Sequence, residues 1–129
     1  FAEAMKYAKE RVQFGKPIGS FQLIQAKLAD MFAQIELARL LAYKGAVMAG
    51  KAERGGKGTR VHQISAAAIL LAAETACKVT EEAVQIHGGY GYCLEYPVQR
   101  YWRDAKLGTI GAGTSEMRRL IVARELLNM

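Results

Sequence analysis

The chain has 129 residues and a net charge of +6, and 51% of its residues are hydrophobic. This composition is typical of one globular domain with a single core, and no apolar run is long enough to predict a membrane span. Two cysteines without a CxxC spacing exclude a disulfide framework and indicate no metal site, and scattered basic residues give no reason to expect a nucleic-acid partner.

The first predicted helix runs from Phe1 to about Val12. Phe1, Met5, Ala8 and Val12 recur on one face at spacings of four, three and four residues. No capping residue precedes Phe1, so the chain is expected to begin inside a helix. We therefore expect residues 1–129 to be one domain and a piece of a longer protein.

A glycine- and proline-containing stretch, RVQFGKPIGS, interrupts the first helix, and Ser20 is predicted to cap the next one. That second helix is predicted from about residue 21 to residue 49. Its apolar stripe comprises Ile24, Leu28, Met31, Ile35, Ala38 and Leu41, widened by Leu23, Phe32, Leu37 and Leu40. Such a wide stripe predicts a helix that is central or faces two partners.

Two further long helices complete the prediction. A glycine-rich turn, ERGGKG at residues 53–58, leads to a helix from about residue 60 to residue 87 with Thr59 as its cap. After the glycines of HGGYGY, a shorter helix begins at Pro97, and Thr114 caps a last helix that ends near Leu127. The predicted fold is therefore all-α, an up-and-down four-helix bundle.

Three connections, RVQFGKP, QIHGGYG and IGAGTSE, join glycines to helix ends and carry polar groups beside them. Backbone N–H groups at a helix start suit phosphate or a flavin carbonyl, and glycines let a ligand approach the backbone. Arg11 is suited to a forked contact with phosphate, and Phe14 to stacking on a ring. For any single one of these loops, an ordinary helix cap is the favoured interpretation; the three loops together narrow that preference but name no ligand.

No hydrolase, zinc-protease or P-loop motif is present, and no acid–base pair is evident, so no catalytic residue is predicted within the chain. His62 is interpreted as a surface residue near a helix start, and His87 as a cap beside the glycine turn. The tyrosines of GYGY are predicted to pack.

Together, ERVQFGKPIGSFQLIQAKLADM, QIHGGYGYCLEYPVQRYWRDAKL and IGAGTSEMRRLIVARELL resemble the C-terminal domain of acyl-CoA dehydrogenases over essentially the whole chain. The resemblance implies a flavoprotein with additional N-terminal and middle domains, which oxidises the Cα–Cβ bond of an acyl-CoA thioester. It also implies a homotetramer with each FAD between two subunits, and an electron-transfer flavoprotein as the electron acceptor.

The resemblance also assigns roles to positions. Arg11 matches an arginine that contacts the FAD pyrophosphate of a neighbouring subunit, with Gln13 and Phe14 along the adenine side. The remaining cofactor positions implied are Gln22, Ile24, Gln85, Gly88, Gly89, Thr114 and Glu116; those implied to lie near substrate are Gly111, Ala112 and Gly113. Thr114 and Glu116 match positions that contact the flavin of their own subunit.

One departure from the family pattern concerns the catalytic base. Many members read Tyr-Glu-Gly-Thr where this chain reads Gly-Ala-Gly-Thr, and Ala112 cannot accept the proton that their glutamate accepts. Isovaleryl-CoA-type members also lack that glutamate and supply it from the helix just upstream. The base is therefore expected before Phe1.

Two alternatives remain open at this point, a stand-alone helical oligomerisation module and a homologue without dehydrogenase activity, such as an oxidase or a DNA-associated flavoprotein. The expected location is the cytoplasm, or the mitochondrial matrix in a eukaryote.

Overall fold

The computed structural model describes residues 1–51 and 56–128 and contains six α-helices and a short β-hairpin. The helices are α1 (Ala2–Glu10), α2 (Gln22–Lys51), α3 (Arg60–His87), α4 (Gly89–Tyr92), α5 (Val98–Leu107) and α6 (Ser115–Leu127). The hairpin strands are β1 (Val12–Gln13) and β2 (Lys16–Pro17), followed by a 3₁₀ turn at Ile18–Ser20. The all-α prediction is thus confirmed apart from the hairpin, which was not predicted.

The segment between α1 and α2 differs most from the prediction. Helix α1 ends at Glu10 instead of Val12, and β1 pairs with β2 in antiparallel register, with Val12 opposite Pro17. Ser20 does not cap α2, because it lies in the 3₁₀ turn and its hydroxyl donates to the carbonyl of Pro17 over 2.7 Å. Two-residue strands carry too little alternation to be recognised in a sequence.

Helices α2 and α3 form an antiparallel pair. Near one end Lys27 Nζ lies 2.5 Å from Glu82 Oε2, and near the other Gly45 packs beside Ile64. The predicted turn before α3 falls partly on residues 52–55, which lie outside the described residues. The Thr59 cap is confirmed, since its hydroxyl accepts the N–H of His62 over 3.2 Å.

Helix α3 is the centre of the fold, because α1, α2, α5 and α6 all pack against it. Helix α6 runs antiparallel to α3, with Glu125 beside His62 and Arg119 beside Glu74. The predicted cap at the start of α6 is also confirmed, since the Met117 N–H donates to the Thr114 hydroxyl over 3.3 Å.

The core lies between α1, α2, α3 and the start of α5. Met31 and Val98 are its largest fully buried side chains, and burying a side chain of this size stabilises the fold by about 1.5–3 kcal/mol. Only part of the wide apolar stripe of α2 is buried in the core. Met31 and Ala38 are buried, whereas Phe32 and Leu40 are 55% and 63% exposed, so a second apolar face remains uncovered. Within the described ranges, no helix is long and apolar enough to cross a membrane.

Candidate functional site

The first cluster of predicted site residues surrounds a cavity of about 440 Å³ where α1, the hairpin and the end of α3 meet. Arg11, Gln13, Gly88 and Gly89, all of them predicted cofactor positions, line it. The other lining residues, which were not predicted as site residues, are Tyr7, Ile18, Ile86, His87, Tyr90 and Cys93. All the lining residues come from two stretches far apart in the sequence, residues 7–18 and 86–93, so only the tertiary structure brings them together.

The hairpin presents Phe14 and Gln13 through a two-residue turn. Phe14 and Gly15 both have positive φ, 52° and 76°, which is the geometry of the tight turns that join twisted strands. A non-glycine residue in this conformation costs about 1–2 kcal/mol. The Phe14 ring is nevertheless 92% exposed. A strained, exposed aromatic at a hairpin tip indicates a contact surface.

Beside this cavity lies a second, of about 810 Å³, formed by the hairpin and the start of α2. Predicted residues Gln13, Phe14, Gln22 and Ile24 line it, and Gln13 lines both cavities. Seven predicted positions therefore lie around two adjoining cavities. Gln85 is exposed on the last turn of α3 and is not among the residues lining the first cavity.

The glycines that follow α3 leave its end accessible. Gly88 has φ of 60°, and no atom lies within 4 Å of the position that a Cβ would take at Gly88 or Gly89. His87 does not act as a cap. Its buried ring lies 4.2 Å from that of Tyr7 in a stacked pair, and its Nδ1 lies 2.8 Å from the carbonyl of Ala83.

The Arg11 guanidinium lies over an aromatic face. Its Cζ is 5.1 Å from the centroid of the Tyr90 ring, within the range of a cation–π contact. Tyr90, predicted to pack, is 46% exposed and lines the cavity. Burial raises the pKa of the Tyr7 phenol, while the nearby Arg11 charge acts in the opposite direction. Among residues 1–51 and 56–128, no ion pair involves Arg11.

The second cluster of predicted residues lies at the start of α6, beside a cavity of about 700 Å³. Thr114 and Glu116 line this cavity together with Lys78, Lys106 and Ser115. The N–H of Glu116 itself, followed by the Thr114 hydroxyl, holds the pKa of the Glu116 carboxyl below its usual value. This carboxylate is therefore a capping anion and a weak proton acceptor.

Ser115 is the other notable residue at this helix start. It is 6% exposed, and its Oγ is the one buried side-chain oxygen or nitrogen that lacks a hydrogen-bond partner in the part of the chain that the structure describes. An unsatisfied buried hydroxyl costs about 1–3 kcal/mol.

The turn before α6 has a strained backbone. Ala112, the position of the missing glutamate, has φ of 52°, and its carbonyl accepts from Arg118 Nη2 over 2.6 Å. A Cβ at Gly111 would lie 3.2 Å from the carbonyl of Leu107. The turn is thus compact, and the predicted substrate-side residues Gly111, Ala112 and Gly113 form one surface in front of the α6 helix start.

The two clusters of predicted residues lie beside different parts of α3. Residues 74–82 of α3 line the cavity at the α6 start, whereas residues 86 and 87 line the cavity around Arg11. From Lys78 to His87 the helix rises about 14 Å. The predicted residues therefore form two separate clusters, and neither cavity contains residues of both.

His62 lies in the first turn of α3, near the predicted helix start, and its side chain is half-buried beside α6. Its Nδ1 lies 2.8 Å from Glu125 Oε1, and the Gly58 N–H donates to the same oxygen over 2.9 Å. The pair therefore joins the end of α6 to the start of α3. No group of three or more metal-ligating side chains occurs within residues 1–51 and 56–128.

A family model described as "Acyl-CoA dehydrogenase, C-terminal domain" matches residues 1–127. A probable acyl-CoA dehydrogenase of Bacillus subtilis is 50% identical over 124 residues, which cover 96% of this chain and 31% of that protein. The mitochondrial isovaleryl-CoA dehydrogenase of rice, Oryza sativa, is 48% identical over 125 residues, covering 95% of this chain and 29% of that protein.

Among solved structures, butyryl-CoA dehydrogenase from Megasphaera elsdenii superimposes with a TM-score of 0.88 at 48% identity. That match covers 98% of this chain and 31% of the other. The chain thus spans about a third of the length of the relatives it matches.

Proposed function

The chain belongs to the acyl-CoA dehydrogenase family, whose C-terminal domain it matches, and we propose that residues 1–129 are the FAD-contacting, oligomerising domain of a flavin-dependent dehydrogenase. The full protein would oxidise the Cα–Cβ bond of an acyl-CoA thioester. The observation that carries the proposal is a pair of partial sites. One surrounds Arg11, which has no ion-pair partner among residues 1–51 and 56–128, and the other lies at the start of α6, where Thr114 and Glu116 line a cavity.

The cavity around Arg11 suits the pyrophosphate and adenine side of FAD. Arg11 offers a charged fork without a carboxylate partner among the described residues, and the backbone at Gly88 and Gly89 is open to close approach. Gln13 and Phe14 extend this surface into the adjoining cavity, where an exposed aromatic ring is suited to stacking.

The start of α6 suits the flavin side of the cofactor. Here the N-terminus of a 13-residue helix, with its positive dipole end, and the capping residue Thr114 border one cavity. Acyl-CoA dehydrogenases are FAD flavoproteins, and the flavin, when bound, accepts the β-hydrogen of the substrate as a hydride. The role of Gly111, Ala112 and Gly113 would be to hold the thioester against this position.

The α-proton must be removed by a carboxylate from elsewhere in the protein. Ala112 carries no acceptor, and Glu116 is held as an anion by the helix start with its pKa lowered. The strained φ of 52° at Ala112 keeps this turn compact, which leaves room for a carboxylate that reaches over it from the upstream helix. The similarity to isovaleryl-CoA dehydrogenase supports that arrangement, because members of that type are expected to lack this glutamate.

The separation of the two partial sites supports an assembly in which each FAD lies between two copies of the chain. One copy would contribute the hairpin and the α3 end, and its neighbour the α6 start. The uncovered apolar residues of α2 and the exposed Phe14 give surface for such contacts. We propose a homotetramer, an electron-transfer flavoprotein as electron acceptor, and a location in the cytoplasm or, in a eukaryote, the mitochondrial matrix.

The experiment uses the full-length protein that contains this chain. Purified protein should carry the absorption bands of a bound flavin, and anaerobic addition of an acyl-CoA should bleach them and yield an enoyl-CoA two hydrogens lighter. Butyryl-CoA and isovaleryl-CoA are the first substrates to compare, because both kinds of dehydrogenase resemble this chain equally. Electron-transfer flavoprotein should restore the colour.

Two variants localise the site. Arg11→Met should weaken FAD binding, whereas Arg39→Met, which removes an exposed arginine paired with Glu36 on α2, should leave it unchanged. A protein that never binds added FAD would refute the proposal and favour an oligomerisation module. Rapid reoxidation by oxygen with release of peroxide would indicate an oxidase, and salt-dependent binding to duplex DNA a DNA-associated relative.

A further inference from the structure

The Arg11 guanidinium contacts the ring of Tyr90, a residue to which the proposed function assigns no role. The guanidinium carbon lies 5.1 Å from the centroid of the Tyr90 ring. A cation–π contact through the face of a guanidinium leaves its N–H groups, which lie in the guanidinium plane, free to donate. A phosphate needs those in-plane donors, so the two contacts are compatible.

The Tyr90 ring is itself held in place. Its centroid is 5.5 Å from that of Tyr96, and Tyr96 meets both Tyr7 and His87 edge-on at 5.9 and 5.6 Å. His87 is anchored by its contact with the Ala83 carbonyl over 2.8 Å and by stacking on Tyr7. The aromatic cluster, defined as Tyr7, His87, Tyr90 and Tyr96, therefore connects Arg11 to the rigid end of α3.

The backbone of Arg11 is fixed as well. Its N–H donates to the Tyr7 carbonyl and its carbonyl accepts from the Ile18 N–H, each over 2.8 Å. With the backbone and one face of the guanidinium both held, the remaining freedom of the side chain is small. Preorganising a long side chain in this way reduces the conformational entropy that is lost when the ligand binds.

We propose that Tyr90 is a positioning residue that presents the Arg11 guanidinium to the pyrophosphate of FAD. Tyr90 acts through its ring face, so its hydroxyl is dispensable and its contribution depends on Arg11. The inference rests on the proposed function, since Arg11 must contact FAD for Tyr90 to matter.

A double-mutant cycle in the full-length protein tests this, with the dissociation constant of FAD measured on protein stripped of flavin. Tyr90→Leu should weaken FAD binding about two- to fivefold, the range of an exposed cation–π contact. Tyr90→Phe, which keeps the ring, should bind as wild type does. In the Arg11→Met background, Tyr90→Leu should cause no further loss.

A second variant separates ring electronics from packing. Tyr90→4-nitrophenylalanine preserves the size and shape of the ring and removes the negative character of its face, so it should lose as much affinity as Tyr90→Leu. Equal melting temperatures of the flavin-free proteins would show that no variant is misfolded. This second variant also keeps the test decisive if Tyr90→Leu does not fold.

Three results would overturn the inference. If Tyr90→Leu weakened FAD binding as much in the Arg11→Met background as in the wild-type protein, Tyr90 would contact the cofactor directly. Loss in Tyr90→Phe would assign the effect to the hydroxyl, and wild-type affinity in the 4-nitrophenylalanine variant would assign it to packing. Failure of the proposed function looks different: wild-type protein would not bind FAD at all, or Arg11→Met would bind it normally, and either result would also remove the inference.

Discussion

Gly91, in the short helix α4, is the position at which a single added carbon should be most damaging. A Cβ there would lie 2.5 Å from the Val84 carbonyl oxygen and 2.9 Å from the His87 Cβ. Real Cβ atoms do not approach backbone oxygens so closely, so Gly91→Ala must displace α4 from α3. Overpacking of this kind costs about 1–3 kcal/mol. Gly91 has no positive φ, so the cost comes from the contact and not from backbone strain.

Gly89 is the matched control, because it lies in the same helix and a Cβ there would meet nothing within 4 Å. Gly89→Ala should be neutral, or stabilising by about 0.4–1 kcal/mol through the unfolded state. Urea unfolding of flavin-free protein measures both variants. With an m value of about 2 kcal/mol/M, a loss of 2 kcal/mol lowers the midpoint by about 1 M. Equal midpoints for the two alanine variants would refute the argument.

The displacement also has a functional consequence. Gly91 follows Tyr90, whose ring lies under Arg11, so moving α4 should carry that ring out of position. Gly91→Ala should therefore weaken FAD binding as well as the fold, although no atom of residue 91 is expected to touch the cofactor. Unchanged FAD affinity in a destabilised Gly91→Ala protein would show that the position of α4 is unimportant for the site.

Two further predictions concern helix ends. Thr114→Ala removes the hydroxyl that accepts the Met117 N–H and should cost about 1 kcal/mol in flavin-free protein, measured by urea unfolding, whereas Thr114→Ser should retain the cap. The Gly58 N–H, and then His62, lower the pKa of the Glu125 carboxyl. The Glu125 charge therefore stabilises the fold at pH values above the usual carboxyl pKa. This stabilisation is lost as the pH falls through the lowered pKa of the folded state. Glu125→Gln should lower the melting temperature at neutral pH and flatten its decline in acid; an unchanged acid slope would contradict the pKa assignment.

In the proposed assembly, one chain would contribute to two cofactor sites. The hairpin and the α3 end form one partial site, and the α6 start forms another about 14 Å along α3. A single chain thus carries two incomplete surfaces that a second copy would complete. This arrangement would make FAD binding depend on assembly, so dilution that dissociates the oligomer should also release flavin.

Local interactions explain what could be predicted from the sequence. The bounds of α3 and α6 and their caps at Thr59 and Thr114 depend on contacts between residues three apart, so the amino-acid order contains the information. The apolar spacing of α2 likewise predicted Met31 and Ala38 as buried. The loops that carry the predicted cofactor residues were recognised by their glycines and by their resemblance to one family.

Contacts between segments far apart in the sequence determine the features that could not be predicted. The hairpin at residues 12–17 has only two residues in each strand, too few for an alternation of apolar and polar residues to be recognised. Because the hairpin and the 3₁₀ turn form, Val12 lies in β1 instead of α1 and Ser20 lies in the 3₁₀ turn instead of capping α2. The contact of Arg11 with Tyr90 joins residues 79 positions apart, and the division of the site into two clusters depends on the path of α3 between them. No local pattern encodes such distances, because they are fixed only when α1, α4 and α6 pack on the same central helix.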